Sequence, residues 1–260
     1  MKKYFVFLLY LFIPFLIQGQ DLKEQSLEIG VEEKLNNYVP LDAYVFSIDG
    51  DTVQLKDLYD KPTIINLVYY RCPGICSPLM DGLAEVIDKS DLVLGEDYQV
   101  ITISFDPRES SLLAERKQNN YFNLMEKSDQ ARKGWHFYTS ESLSIARITD
   151  AVGFRYKAVG NDFIHSATLI VTSPEGKITR YMNGIYFLPF ELKMSIIDAS
   201  EGKSGPTINK VLQYCYSYDP EGQEYVLNIT KITGTLIIFI GLIVFLVLVL
   251  GKKKNQNKKK

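Results

Sequence analysis

Cysteine and histidine are scarce in this chain. Its 260 residues include three cysteines, Cys72, Cys76 and Cys215, and two histidines, His136 and His165. So few cysteines in so long a chain exclude a disulfide-stapled scaffold, and an odd number cannot all pair within the chain. There is no Gly-rich phosphate loop of either standard pattern and no His-Glu-x-x-His motif, which removes the nucleotide-binding and metalloprotease readings. No internal repeat occurs, and no low-complexity tract apart from a lysine-rich C-terminus. Positive charge is also missing where a nucleic-acid binder would carry it. Eight of the 29 basic residues, Lys2, Lys3 and six tail lysines, lie in the two ends, and none of the 31 acidic residues do. The stretch between them therefore holds 21 basic and 31 acidic residues, a net of −10. Such a surface repels nucleic acid, which demands basic patches, so no nucleic-acid partner is expected.

Long apolar runs are confined to the ends. Residues 1–20, "MKKYFVFLLYLFIPFLIQGQ", have a positive start and an apolar run from Tyr4 to Ile17. They read as a secretory signal peptide, although "QGQ" lacks the usual small-x-small cleavage pattern and an uncleaved anchor is the alternative. Residues 232–251 carry no charge and are rich in Leu, Ile, Val and Phe. At about 1.5 Å rise each, as a helix they would span about 30 Å, the hydrocarbon thickness of a bilayer. The basic tail, 252–260, belongs on the cytoplasmic side of a membrane. The expectation is a single-pass C-terminal anchor in the cell membrane with residues 21–231 on the extracytoplasmic (periplasmic) side.

Between the ends, 21–43 is a polar lead-in. "YVFSIDGDTVQL", from Tyr44, predicts a hairpin. "TIINLVYY", Thr63 to Tyr70, is a continuous β-branched and aromatic run that suits a strand buried on both faces. A helix is expected over "SPLMDGLAEVIDK", a strand over Tyr98 to Phe105, and a helix over "SSLLAERKQNNYFNLMEK" with Ser110 or Ser111 as N-cap. "WHFYT" reads as a short strand and "SESLSIARITDAVG" as a helix that Gly153 could end. "SATLIVT" and "KITRYMN" flank "SPEG" as an antiparallel hairpin, and a last helix runs from about Pro189 to Ala199. Strands alternating with helices predict one α/β domain over 44–200, a mixed sheet flanked by helices. A linker, 201–231, follows; its "YCYSYDPEGQEYVL" could form a small hairpin.

The chemistry concentrates in "NLVYYRCPGICSPLM". Cys72 follows a buried strand, and Pro73 suits the first position of a helix. That places Cys72 near the N-cap and Cys76 about one turn in. A helix N-terminus favours negative charge, so both thiolates are expected to form easily at an exposed turn. Such a pair serves as a redox couple or as half of a metal site. Met80 reads as core or rim packing, and His136 as a partly exposed strand residue. His165 stands just before the apolar strand "SATLIV". If that strand runs antiparallel to the Cys strand, His165 lies at the same sheet edge, where ligands bind in α/β folds. Two thiolates and an imidazole favour Cu(I), or Cu(II) in a tetragonal or trigonal site; zinc would want a fourth ligand or an open position.

"VYYRCPGIC" followed by "DFIHSATLIV" resembles the Sco/SenC family, the thioredoxin-like copper chaperones of cytochrome c oxidase assembly. The resemblance spans roughly 44–200 and includes "ISFDPRES", which is similar to the family's Asp-Pro loop. It implies a thioredoxin-like fold, copper as the metal, Cys72, Cys76 and His165 as its ligands, and Asp106 nearby without necessarily binding. It also implies a cytochrome c oxidase copper-carrying subunit as partner, with other copper chaperones or thiol reductases besides. Three departures stand out. Ser77 follows the second cysteine where the family often has proline, Ile164 precedes the histidine where aspartate is frequent, and the anchor is C-terminal.

Two functions follow. One is a membrane-tethered metallochaperone, the tether raising the effective concentration of a membrane-bound partner. The other is a thiol–disulfide oxidoreductase that uses Cys72 and Cys76 to reduce the target's metal-binding cysteines. Thioredoxin-type redox motifs space their cysteines by two residues rather than three. They also carry a proline before the strand where His165 stands, and none lies between Phe154 and Thr172. Both features favour the chaperone.

Overall fold

A five-stranded mixed sheet organises the chain. The computed structural model describes residues 29–205, and beyond them only 216–219, 224–227 and isolated positions between 233 and 243. The expected signal peptide, Cys215, most of the 232–251 segment and the basic tail lie outside the described residues. Among the described residues, no helix is long and apolar enough to cross a membrane.

The strands are β1 (Gly30–Val31), β2 (Tyr44–Phe46), β3 (Thr52–Gln54), β4 (Thr63–Val68), β5 (Gln99–Ser104), β6 (Trp135–Tyr138), β7 (Phe154–Arg155), β8 (Lys157–Val159), β9 (Asp162–Ile164), β10 (Thr168–Thr172) and β11 (Ile178–Asn183). The helices are α1 (Cys76–Lys89), α2 (Ser111–Leu124), α3 (Ser128–Gly134), α4 (Ser142–Ala151) and α5 (Pro189–Ser200). The main sheet runs β11-β10-β4-β5-β6. Strands β4, β5 and β6 are parallel, while β10 is antiparallel to both β4 and β11. Every residue of β4 and β5 is buried, the pattern of strands covered on both faces. Helix α5 packs on β10 and β11 and touches α1, whereas α2 and α3 pack on β6.

The expected hairpin from Tyr44 forms as β2–β3, and "SPEG" turns between β10 and β11. The long helix expected after Ser110 is shorter. It ends at Leu124, Met125 turns out in extended backbone, and a separate α3 follows. Ser110 is the N-cap residue, although its side chain makes no cap hydrogen bond. Two strand pairings went unforeseen. Within the lead-in, β1 pairs with β7, and β8 pairs with β9 as a hairpin. Gly153 does end α4. Its φ of +66° is left-handed, and a Cβ there would sit 1.9 Å from the Glu32 carbonyl oxygen, so the β1 contact itself requires glycine. In the separate unit beyond residue 206, Tyr216–Asp219 and Glu224–Leu227 pair antiparallel.

Candidate metal centre

The register of β10 against β4 decides where the histidine falls. Leu169 stands opposite Asn66 and Thr172 opposite Thr63. The chain preceding β10 therefore projects past the C-terminal end of β4, the edge from which the Cys72 turn emerges. His165 lies there, buried, between β9 and β10. The donor atoms of Cys72, Cys76 and His165 all lie within 4.8 Å of one another, and among the described residues they form a cluster that could hold a metal ion. Both cysteines are free thiols.

The start of α1 differs from expectation. Ile75 is the N-cap and Cys76 the first helical residue, so Cys72, Pro73 and Gly74 form a turn ahead of the helix. Only one of the two thiols is then activated. Burial opposes ionisation of the half-buried Cys72. It is outweighed by hydrogen bonds from the Cys76 and Gly74 backbone N–H groups, the Cys76 thiol and the Tyr69 hydroxyl, and its pKa falls below the usual thiol value. The Gly74 N–H lies 3.3 Å from its sulfur. Cys76 is 1% exposed, and burial pushes its pKa far up. The expectation of two exposed, low-pKa thiols is thus corrected: desolvation outweighs the helix terminus at Cys76. We expect iodoacetamide to modify Cys72 first, with a pH midpoint below that of a free cysteine, and Cys76 to lag. Mass spectrometry of the alkylated protein checks the order.

His165 completes the site. Its Nδ1 lies 3.0 Å from the Ser166 carbonyl oxygen, which as an acceptor assigns the ring proton to Nδ1. Nε2 is then the unprotonated ring nitrogen, and it lies 3.1 Å from the Cys76 sulfur. Burial also lowers the His165 pKa, so the imidazole is neutral and its Nε2 lone pair is directed into the cluster. The rings of Tyr69, Phe105 and Phe154 surround it at 6.0, 5.2 and 5.9 Å. The backbone carbonyl thus orients the imidazole, a task that a carboxylate often performs for ligating histidines. The donor set, two thiol sulfurs and one oriented imidazole, fits copper.

The SCO1/SenC family model matches residues 43–189. The chain belongs to the SCO1/SenC family. The curated SCO1 protein homolog of Bacillus subtilis (strain 168) is 24% identical over 149 residues, 55% of this chain and 72% of the relative. Among solved structures, a protein of Aquifex aeolicus VF5 is 32% identical, covering 65% of this chain and 95% of that one at a TM-score of 0.58. BsSco, in which a disulfide switch was identified, is a member of the Sco family of cytochrome c oxidase assembly proteins. It is 21% identical at a TM-score of 0.50, covering 66% of this chain and 99% of that one, a likeness of fold. The fold expected from the sequence, α/β and thioredoxin-like with a mixed sheet, is the fold of these Sco proteins.

The other expected residues of this Sco-family chain fall as follows. Asp106 is buried beside the site and is not one of the clustered ligands. Burial would raise its pKa, but the Arg108 side chain and backbone N–H, with the charges of Arg108 and Arg71, hold it below the usual carboxylate range. Met80 is fully buried core, and His136 is a half-buried strand residue. Sequence reasoning missed Glu109. Its buried carboxylate accepts the backbone N–H of Tyr70 at 2.7 Å and of Arg71 at 2.8 Å, and the Ser104 hydroxyl at 2.6 Å. It thereby clamps the turn that presents Cys72. The one signal available was an acid within "DPRES". Glu109→Ala leaves these donors without their acceptor, worth about 2 kcal/mol. We expect its thermal midpoint to fall by roughly 5 °C in a melt followed by circular dichroism.

Proposed function

We propose that this protein is a copper-binding metallochaperone that works outside the cytoplasm and delivers copper to, or prepares, the copper site of a cytochrome c oxidase subunit. The observation that carries this reading is the convergence of Cys72 Sγ, Cys76 Sγ and a His165 ring nitrogen within 4.8 Å at one sheet edge, with Nε2 3.1 Å from the Cys76 sulfur. Copper, as cargo, would be held by these three atoms. Cys72 is the half-exposed member, so a partner's thiolate reaches it first, whereas Cys76 and His165 are buried behind it. A site open at one ligand suits transfer by ligand exchange. The apolar 232–251 segment and the lysines after it support a membrane tether facing a membrane-bound oxidase, and residues 1–20 support export.

Titrating the reduced, metal-free protein with copper tests this: we expect one copper per chain. Binding must displace the Cys76 proton, because that thiol is held protonated. Metal binding that releases a proton strengthens as pH rises, so affinity for Cu(I) should increase at least about tenfold per pH unit between about pH 6 and 8. Competition with a chelator of known affinity at each pH measures the slope, and a flat profile would exclude Cys76 as a ligand.

One observation favours a second reading, a thiol–disulfide oxidoreductase. The thiols are unequal, one activated and accessible, the other buried and protonated. The Cys72 thiolate would attack a target disulfide, forming a mixed disulfide and releasing one target thiolate. Cys76, deprotonated, would then displace the second target sulfur, leaving a Cys72–Cys76 disulfide and a reduced target. Disulfide-reductase turnover that survives loss of His165 would favour this reading over the chaperone.

A further inference from the structure

The residue that ties the histidine half of the site to the rest of the protein is an arginine that contributes no ligand. His165 follows directly on the β8–β9 hairpin, whose residues 157–162 and Ile164 are exposed. An isolated two-stranded hairpin is marginally stable in water, so this one depends on what anchors it. From within, Phe163 packs among Tyr69, Phe105 and Tyr156 with ring centroids at 5.3, 5.5 and 5.6 Å. The second anchor is Arg108, from the loop between β5 and α2. Its Nε and Nη2 donate to Asp106 Oδ1 and Oδ2 at 2.7 and 2.8 Å, a bidentate fork on a buried carboxylate. The same Nη2 donates to the Asn161 carbonyl oxygen at 2.9 Å, at the turn of the hairpin. The guanidinium also lies over the Phe163 ring, 5.3 Å from its centroid.

We propose that Arg108 is a positioning residue for metal binding: anchored on Asp106, it latches the β8–β9 hairpin through Asn161 and Phe163 and so holds His165 against Cys76. The inference rests on His165 being a ligand. A bidentate fork holds the guanidinium plane fixed, and a fixed plane can serve a carbonyl and a ring face together. A lysine offers a point charge and no plane. The Arg108 side chain is half-exposed, so its removal leaves the core intact.

The test uses the full chain with Arg108→Ala and Arg108→Lys. In the reduced, metal-free protein, hydrogen–deuterium exchange should rise at least about tenfold in peptides covering 157–166 in Arg108→Ala and stay unchanged over 72–89. Arg108→Lys should recover only part of the protection. Copper affinity should fall about tenfold in Arg108→Ala, and the same substitution made in a His165→Ala background should cost nothing further. Unchanged exchange over 157–166 would overturn the latch, as would an equal affinity loss with and without His165. If His165→Ala itself leaves copper binding intact, the ligand assignment fails instead, and the exchange experiment still reads the latch.

Discussion

His165→Ala is expected to weaken copper retention by at least about 100-fold, or about 2.7 kcal/mol. The site has three donor atoms within 4.8 Å, and one of three first contacts would be gone. Losing a group that merely orients a metal ligand already costs 10–100-fold, so losing the ligand sets about 100-fold as a lower bound. The remaining pair is also badly matched. Cys72 ionises readily, while Cys76 is buried and holds its proton, so the second sulfur must be deprotonated without a neighbouring imidazole. Chelator competition measures the loss, and the sulfur-to-Cu(II) charge-transfer band should shift or vanish. The fold should survive, because the aromatic rings around His165 pack on one another as well as on it. Iodoacetamide should still prefer Cys72, showing that the thiol half is intact. Unchanged copper affinity would sink the three-ligand site.

Gly82→Ala is expected to cost more stability than any surface change, although alanine is the better helix former by about 1 kcal/mol. Gly82 lies inside α1, and the chain after β11 crosses it. A Cβ there would lie 1.8 Å from the Ile185 carbonyl oxygen and 2.8 Å from its carbonyl carbon, with Phe187 Cδ2 at 3.6 Å. Backbone cannot yield as a side-chain tip can, so α1 or the 184–187 segment must move. Overpacking of this kind costs typically 1–3 kcal/mol and more when backbone is displaced. Taking about 3 kcal/mol net, the thermal midpoint should drop by about 10 °C. The site should suffer with it, because α1 begins at Cys76. We expect copper affinity and the thermal midpoint to fall together here, whereas His165→Ala separates them. A midpoint within about 2 °C of the parent protein would show that the crossing segment gives way easily.

How far the site could be read from the chain depended on how local each cause was. The buried run Thr63 to Val68 and the periodic apolar residues of α1 identify a strand, a turn and a helix, because those patterns arise from near neighbours. Cys72 and Cys76 could be paired with each other for the same reason. The start of α1 could not. Pro73 satisfies the local rules for a first helical residue, but the Gly74 and Cys76 N–H groups turn toward the Cys72 sulfur, and the helix waits until Cys76. Arg108 and Glu109 were invisible as determinants. Their partners, Asn161 on one side and Tyr70 and Arg71 on the other, lie 53, 39 and 38 positions away.

By itself the sequence determined the α/β class, the Sco/SenC membership and the identity of three candidate ligands, since a turn with two cysteines and a histidine ahead of an apolar strand are short-range patterns. It also determined the net negative charge of the stretch between the two ends, which is a matter of counting. Only the tertiary structure decided that His165 reaches the cysteines at all, because that rests on β10 running antiparallel to β4 in one register. It decided too that Cys72 is the half-exposed thiol with the lowered pKa and Cys76 the buried one with the raised pKa. Four positions of chain separate them, but their ionisation depends on solvent exposure and on N–H groups brought in by the fold, and burial is a property of the whole packed domain.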